Sequence, residues 1–117
     1  MAVQSIIDLT TFEALKESVG SDFIDELLQA YFDETPQLLA NLQQAYAKKD
    51  TEAFRLAAHS IKSTSNSFGA LEFGALAKEL EMMAREGKME GALKKVETLV
   101  GGYESVRKAL VKLSHGQ

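Results

Sequence analysis

The sequence contains no cysteine and no tryptophan, and it has one proline in 117 residues. Without cysteine, disulfide bonds, thiolate metal sites and cysteine nucleophiles are excluded. No segment approaches the roughly 20 consecutive apolar residues that a membrane-spanning helix needs. The first residues also lack the basic region and apolar core of a secretory signal. We therefore expect a cytoplasmic protein that does not insert into a membrane.

The chain also has no excess of basic residues. It contains 13 Lys and Arg and 17 Asp and Glu, which gives a net charge of −4. This balance argues against nucleic acid as a partner. The charge is uneven along the chain. Residues 1–52 contain 3 basic and 10 acidic side chains, whereas residues 53–117 contain 10 basic and 7 acidic side chains. A composition that is 45% hydrophobic supports a core, and the length predicts one domain over residues 1–117.

Apolar residues recur at three- and four-residue steps along most of the chain, which predicts amphipathic helices. A short first helix is expected to be capped by Thr10 or Thr11 and to end at Gly20. A second begins after the capping residue Ser21 and runs to about residue 48, with Pro36 predicting a kink rather than a break. Three further helices are expected. The first covers about 51–68, the second follows the stop at Gly69 and ends at Gly87, and the third carries the apolar positions from Met89 to Leu113.

The connections between these helices are short, so consecutive helices are expected to pack antiparallel. No alternating strand pattern competes with the helical one. The sequence therefore predicts an all-α fold, an antiparallel up-and-down four-helix bundle with an additional short N-terminal helix. Its third helix is expected to bury a stripe of residues at helical spacing: Phe54, Ala57, Ala58, Ile61, Ser65 and Phe68.

Motifs of an independent enzyme are absent from the sequence. Neither histidine follows a glutamate at the Glu-x-x-His spacing of bundle metal sites, and there is no His-Glu-x-x-His motif. Glycine-rich phosphate loops and a nucleophile elbow are missing as well. These absences disfavour a hydrolase or a metalloenzyme, and no metal site is predicted.

One face of the third helix is unusual for a chain with this charge. His59 lies about 200° from the buried Ile61 and is expected to project into solvent, on the side that also carries Arg55, Lys62 and Asn66. The simplest interpretation is an ordinary exposed histidine. However, small serine and threonine side chains crowd residues 60–67, which leaves the imidazole accessible to another protein surface.

Such an imidazole can act as a nucleophile, because histidine is largely neutral at cellular pH. Lys62 lies one turn further on, ~5–6 Å away between Cβ atoms, where its charge would disfavour imidazolium and steady a phosphoryl group on the ring. His115, near the end of the chain, has no comparable setting.

At this point the residues resemble a known family. The segments Ala58-His59-Ser60-Ile61-Lys62-Ser63, Phe68-Gly69-Ala70 and Leu76-Ala77-Lys78-Glu79-Leu80-Glu81 resemble the signature of histidine-containing phosphotransfer (HPt) domains. In that family the core is Ala-His-Ser/Thr-Leu/Ile-Lys-Gly, followed by a Gly-Ala pair and by Leu-x-x-Leu-Glu. The signature covers about residues 51–81, and the order of helices is similar over nearly the whole chain. Ser63 departs from the pattern, because the family usually has glycine there.

The resemblance implies a phosphorelay intermediate that accepts a phosphoryl group on His59 from a receiver aspartate and passes it to another receiver. Lys62 would stabilise that group, while Arg55, Ser63 and Asn66 are candidates for docking the partner. Gly69 would form the turn after the third helix.

The partners implied are response-regulator receiver domains, a hybrid sensor histidine kinase, or both. The chain itself would bind no cofactor, the Mg²⁺ would belong to the receiver, and the chain is expected to be a monomer without ATP-dependent kinase activity. The alternative is a helical adaptor module that binds a partner without being phosphorylated. The modified imidazole nitrogen stays open at this point, as does the choice between a free-standing protein and a module of a hybrid kinase.

Overall fold

A computed structural model describes residues 6–114, and within that range the chain forms five α-helices and no strand. Their bounds are α1 Leu9–Val19, α2 Ser21–Lys48, α3 Thr51–Ser67, α4 Leu71–Glu86 and α5 Ala92–Ser114. The helices α2 to α5 pack in a ring, each on the next and α5 on α2, while α1 lies against α2 and α3. The predicted fold class is confirmed, and the assignment of residues 1–117 to one domain stays a prediction.

The antiparallel packing is visible in side-chain pairs between α4 and α5. Near the start of α4, the rings of Phe73 and Tyr103 lie 6.2 Å apart. Further along α4, Glu79 pairs with Lys95, which lies earlier in α5, with 3.0 Å between Oε1 and Nζ. A residue later in α4 therefore pairs with a residue earlier in α5, which shows that the two helices run in opposite directions.

The starts of two helices differ from the prediction. The carboxylate of Asp8, and not Thr10 or Thr11, caps α1 by accepting a hydrogen bond from the backbone N–H of Thr11 at 3.1 Å. Ser21 is the first residue of α2 rather than its cap, and the capping position is taken by Gly20, whose φ is +97°. The same glycine also ends α1. Because glycine has no side chain, the start of α2 has no side-chain cap.

Pro36 does not interrupt α2, which is continuous from Ser21 to Lys48. The proline lies on the exposed side of the helix, between the buried Thr35 and Leu39. Leu38, which continues the three- and four-residue spacing of apolar residues along this helix, is half-buried and packs against the core, while Leu39 is buried. The core stripe therefore advances by four residues from Thr35, as a helix with 3.6 residues per turn allows.

The turn between α3 and α4 is fastened to the start of α1. Gly69 has a φ of +93°, a conformation that favours glycine. Its carbonyl oxygen accepts a hydrogen bond of 2.8 Å from the backbone N–H of Asp8. A Cβ atom at Gly69 would lie 2.6 Å from the Asp8 carbonyl oxygen. Only a residue without a side chain fits here, at the position where the sequence predicts the turn after the third helix.

Candidate functional site

The buried stripe of α3 fixes the direction in which His59 points. Ala58 and Ile61 have no exposed surface, and the whole predicted stripe of this helix is buried. His59 lies on the opposite side, and 51% of its side chain is exposed. The prediction that His59 projects from the bundle is confirmed by this exposure.

A carboxylate on the neighbouring helix holds the imidazole in place. Glu81 belongs to α4, and only 3% of its side chain is exposed. Its Oε2 atom lies 2.9 Å from Nδ1 of His59. The exposed histidine is therefore anchored at one ring nitrogen by a buried acid, whereas the other nitrogen is not part of this contact.

Two basic side chains bind the same carboxylate. Lys62 Nζ lies 2.8 Å from Glu81 Oε1, and an Arg85 Nη atom lies 2.8 Å from Oε2. Lys62 comes from α3 and Arg85 from α4, one turn after Glu81. The buried charge of Glu81 is thus compensated from both helices, as a buried ion requires.

These contacts keep Glu81 ionised. Burial alone raises the pKa of a carboxyl group. In Glu81 the hydrogen bonds from Lys62, Arg85 and His59 outweigh burial and lower the pKa to about 2. At neutral pH the carboxylate can therefore only accept hydrogen bonds.

The ionised carboxylate determines the tautomer of His59. An acceptor at Oε2 requires the proton on Nδ1 of the ring, so Nδ1–H donates to Glu81. In the neutral imidazole, Nε2 then carries the free electron pair. The arrangement can present a nucleophilic Nε2 atom to an electrophile at the surface.

The low pKa of Glu81 predicts an acid-sensitive fold. A carboxyl group whose pKa falls from 4.5 to about 2 on folding contributes stability that is complete above pH 4.5 and is lost as the pH falls to 2. We expect the free energy of unfolding to decrease by about 1–3 kcal/mol over that window because of this group, allowing for screening by solvent. Chemical denaturation at a series of pH values measures this, and Glu81→Gln should reduce the decrease. An equal pH dependence in the variant would contradict the assignment.

A cavity of about 460 Å³ opens beside His59 on the side of α2. Its α2 wall consists of Glu34, Gln37 and Leu38. Ser63, the residue that replaces the usual glycine, lies exposed on the α3 wall. The small side chains predicted beside His59 therefore border an open space.

The other two predicted docking residues have partners within the chain. Arg55 lies one turn before His59, and its Nε donates to Glu52 Oε1 at 3.0 Å. The side chain of Asn66 lies against the backbone of Gly74, where any Cβ atom would overlap the amide group. Both residues therefore contribute to the packing or the surface charge of α3, and their docking role stays a prediction.

Sequence reasoning assigned no role to Glu81, Arg85 or Glu34. Glu81 stands within the quoted signature, as the last residue of its Leu-Glu pair, and this was the one available signal. Arg85 follows it at the four-residue spacing at which acidic and basic side chains pair on a helix. Glu34 carries no local signal, because only the packing of α2 on α3 brings it to the cavity beside His59.

Within the described residues we find neither a cluster of metal-binding side chains nor a helix that could cross a membrane. Among residues 6–114, no group of three or more His, Asp or Glu side chains is arranged to hold a metal ion. No helix in the described part of the chain is long and apolar enough to cross a membrane.

Comparison with known proteins identifies the family. The family model of the Hpt domain matches residues 26–110, which is more than half of the chain. The chain belongs to the Hpt domain family, as its resemblance predicted. Proteins of this family are phosphocarrier modules of two-component signalling rather than kinases, and they work with receiver domains and kinases.

Individual relatives agree with this assignment. Histidine-containing phosphotransfer protein 4 of Arabidopsis thaliana is 28% identical over 100 residues, which are 84% of this chain and 79% of that protein. The crystal structure of histidine-containing phosphotransfer protein B (HptB) from Pseudomonas aeruginosa PAO1 superimposes with a TM-score of 0.88 at 27% identity. That match covers 96% of both chains, so the bundle is shared over almost its full length.

Proposed function

We propose that this chain is a phosphorelay intermediate that carries a phosphoryl group on Nε2 of His59. It accepts the group from the aspartyl phosphate of a receiver domain and passes it to the aspartate of another receiver. The observation that carries the proposal is the contact between Nδ1 of His59 and the ionised Glu81. This contact leaves Nε2 as the nucleophilic atom on an exposed ring.

The transfer step balances without a further reactant. The electron pair of Nε2 forms the new N–P bond while the O–P bond to the receiver aspartate breaks, and the aspartate leaves as a carboxylate. The proton on Nδ1 stays in place, so the phosphorylated ring is cationic and its charge is stabilised by Glu81. The return step reverses these changes, with the second aspartate as the nucleophile.

Lys62 and Arg85 supply positive charge next to the reacting ring. Both side chains reach Glu81 at 2.8 Å, and the side chain of Arg85 is 56% exposed. An approaching phosphoryl group brings negative charge, which basic side chains bound to the same carboxylate as the ring attract. The Mg²⁺ ion of the reaction is expected on the receiver, where it neutralises charge on the transferring group.

The proposal includes the remaining expectations about the chain. It is a monomeric carrier without ATP-dependent kinase activity, it acts in the cytoplasm, and neither nucleic acid nor a membrane is its partner. The alternative, an adaptor module that binds a partner without being phosphorylated, has the same fold but needs no nucleophile. The held imidazole and the open Nε2 atom favour the carrier over the adaptor.

Labelling from a phosphorylated receiver tests the function. We expect the wild-type chain to gain one phosphoryl group that is acid-labile and base-stable, as a phosphohistidine is, while the receiver loses its own. Nitrogen and phosphorus NMR of the labelled protein should place the group on Nε2. A chain that binds phosphorylated receivers without gaining label would be the adaptor. Label at Nδ1 would contradict the proposed role of Glu81.

A further inference from the structure

We propose that the second half of α5, residues 101–114, opens from the bundle as one unit while His59 and Glu81 stay in place. We name this segment the α5 arm. Its hinge is the pair Gly101 and Gly102 in the middle of the helix. The arm is a conformational device of the fold, and it is separate from the phosphoryl transfer proposed above.

Neither glycine of the hinge is required by the fold of α5. Both are helical, and neither has a positive φ. A Cβ atom at Gly101 would meet no other atom within 4 Å, and one at Gly102 would lie 3.8 Å from a ring carbon of Phe73, which is an ordinary contact. This differs from Gly69, where a side chain does not fit. Alanine would therefore be accommodated at both hinge positions and would favour the helix more.

The glycine pair weakens α5 at one point. Glycine has more conformational freedom in an unfolded chain than alanine has, so two glycines in succession favour breaking the helix there. The arm beyond this point is short, because isolated helices below roughly 12–15 residues are only marginally stable in water. A detached arm therefore unfolds, and its backbone amides become accessible to solvent.

Tyr103, the residue after the glycine pair, has a second feature that favours opening. It is buried, with 8% of its surface exposed, and its hydroxyl group has no hydrogen-bond partner among residues 6–114. An unpaired buried hydroxyl is unfavourable, and opening returns it to water. The ring opposes this, because it packs 6.1 Å from the ring of Tyr31 on α2 and 6.2 Å from that of Phe73 on α4. Tyr103 therefore joins a packed ring that holds the arm closed to a hydroxyl that favours its release.

The reactive pair lies outside the arm. His59 belongs to α3 and Glu81 to α4, and these two helices pack on each other more extensively than α5 packs on α2 or on α4. The ion pairs of Glu81 are formed with side chains of α3 and α4. Opening the arm therefore removes contacts from α2 and α4 but leaves the packing between the two helices that hold the site.

Amide hydrogen exchange of the full, unphosphorylated chain, followed by NMR, tests the arm. The amides of 105–110 donate helical hydrogen bonds within the arm, whereas those of 96–99 donate within the first half of α5. We expect 105–110 to share one degree of protection and to exchange about tenfold faster than 96–99, or faster still. Their exchange should also rise less steeply with urea, because opening the arm exposes less surface than global unfolding.

Two results would contradict the arm. Equal protection and equal urea dependence in the two halves of α5 would show that the helix opens only as a whole. Protection that declines steadily toward residue 114, without a step at the glycine pair, would show ordinary fraying of a helix end. The amides of α3 around His59 should exchange only through global unfolding, and exchange of these amides together with the arm would show that the site opens with it.

Two substitutions at exposed positions locate the hinge. Gly101→Ala should slow exchange of the arm amides about three- to fivefold. The matched control introduces a glycine at Glu97, which is exposed and forms no ion pair within residues 6–114. Glu97→Gly weakens the first half of α5, which stays helical when the arm opens. The arm amides should therefore be unaffected, while those of α3 exchange about threefold faster. Arm amides that respond to Glu97→Gly, or that do not respond to Gly101→Ala, would exclude a hinge at the glycines.

Tyr103→Phe tests the buried hydroxyl. The variant keeps the ring and removes the unpaired group, so exchange of the arm amides should slow about two- to fivefold. Faster exchange would show that the hydroxyl stabilises the closed arm, contrary to the proposal. All of these measurements use the unphosphorylated chain, so their outcome is independent of whether His59 accepts a phosphoryl group.

Discussion

A His59→Gln variant is expected to accept no phosphoryl group, from a receiver or from phosphoramidate, with a loss of more than about a thousandfold in rate. An amide nitrogen has no available electron pair, so the variant lacks the nucleophile. Its N–H₂ group can still donate to Glu81, which accepts from Nδ1 of His59 at 2.9 Å in the wild type. We therefore expect the bundle to fold normally, with an unchanged circular dichroism spectrum.

The second histidine of the chain provides the control. His115→Gln removes the same side chain from a position outside the described residues, where the sequence predicts no role. It should accept the wild-type amount of label in the same assay. Label that persists in His59→Gln, or that disappears in His115→Gln, would show that His59 is not the phosphorylated residue.

A Glu81→Gln variant is expected to slow phosphorylation of His59 by roughly 10–100-fold, because a charge-assisted hydrogen bond contributes about 1.5–3 kcal/mol. The variant keeps the shape of the side chain but places a neutral amide among Lys62, Arg85 and His59. Without the carboxylate, Nδ1–H has a weaker acceptor, and the tautomer with Nε2 unprotonated is favoured less. Nitrogen NMR of the imidazole should report a shift in the balance between the two tautomers.

The variant should also be less stable by about 1–3 kcal/mol, since two cations lose their buried counter-ion. Glu79→Gln serves as the control, because Glu79 lies on the same helix but pairs with Lys95 at the surface. It should leave both the rate and the tautomers unchanged. If Glu81→Gln lowers stability while the rate and the tautomers stay as in wild type, Glu81 is a structural anchor and does not position His59.

The sequence was most informative where a structural feature depends on a single helix. The buried stripe of α3 and the exposure of His59 follow from 3.6-residue periodicity alone. The same periodicity does not separate Leu38 from Leu39, because three- and four-residue steps from Thr35 are both compatible with it. In the structure Leu39 is buried, while Leu38 is half-buried and packs against the core. The cap of α1 was also predicted two or three residues too late, because aspartate and threonine are both favourable capping residues and the structure uses Asp8.

The site could be predicted only in part, because half of it comes from the register between two helices. Lys62 and His59 share a helix, and their proximity is local. Glu81 is 22 residues from His59 in sequence, and a glutamate is ordinarily expected on the exposed side of a helix. It is buried because three basic or hydrogen-bonding groups converge on it, which no periodicity in α4 reveals. The signature contained Glu81 without giving its function.

The contact between Asp8 and Gly69 has a consequence for where this module can be cut. The family match begins at residue 26, yet the backbone N–H of Asp8 binds the turn that sets α4 against α3, and its carboxylate starts α1. His59 and Glu81 lie on the two helices that this turn connects. A fragment trimmed to the matched range would therefore lose the hydrogen bond from Asp8 that holds the turn between the helices of His59 and Glu81. The cooperative unit begins no later than Asp8, and a fusion partner joined on this side belongs ahead of that residue.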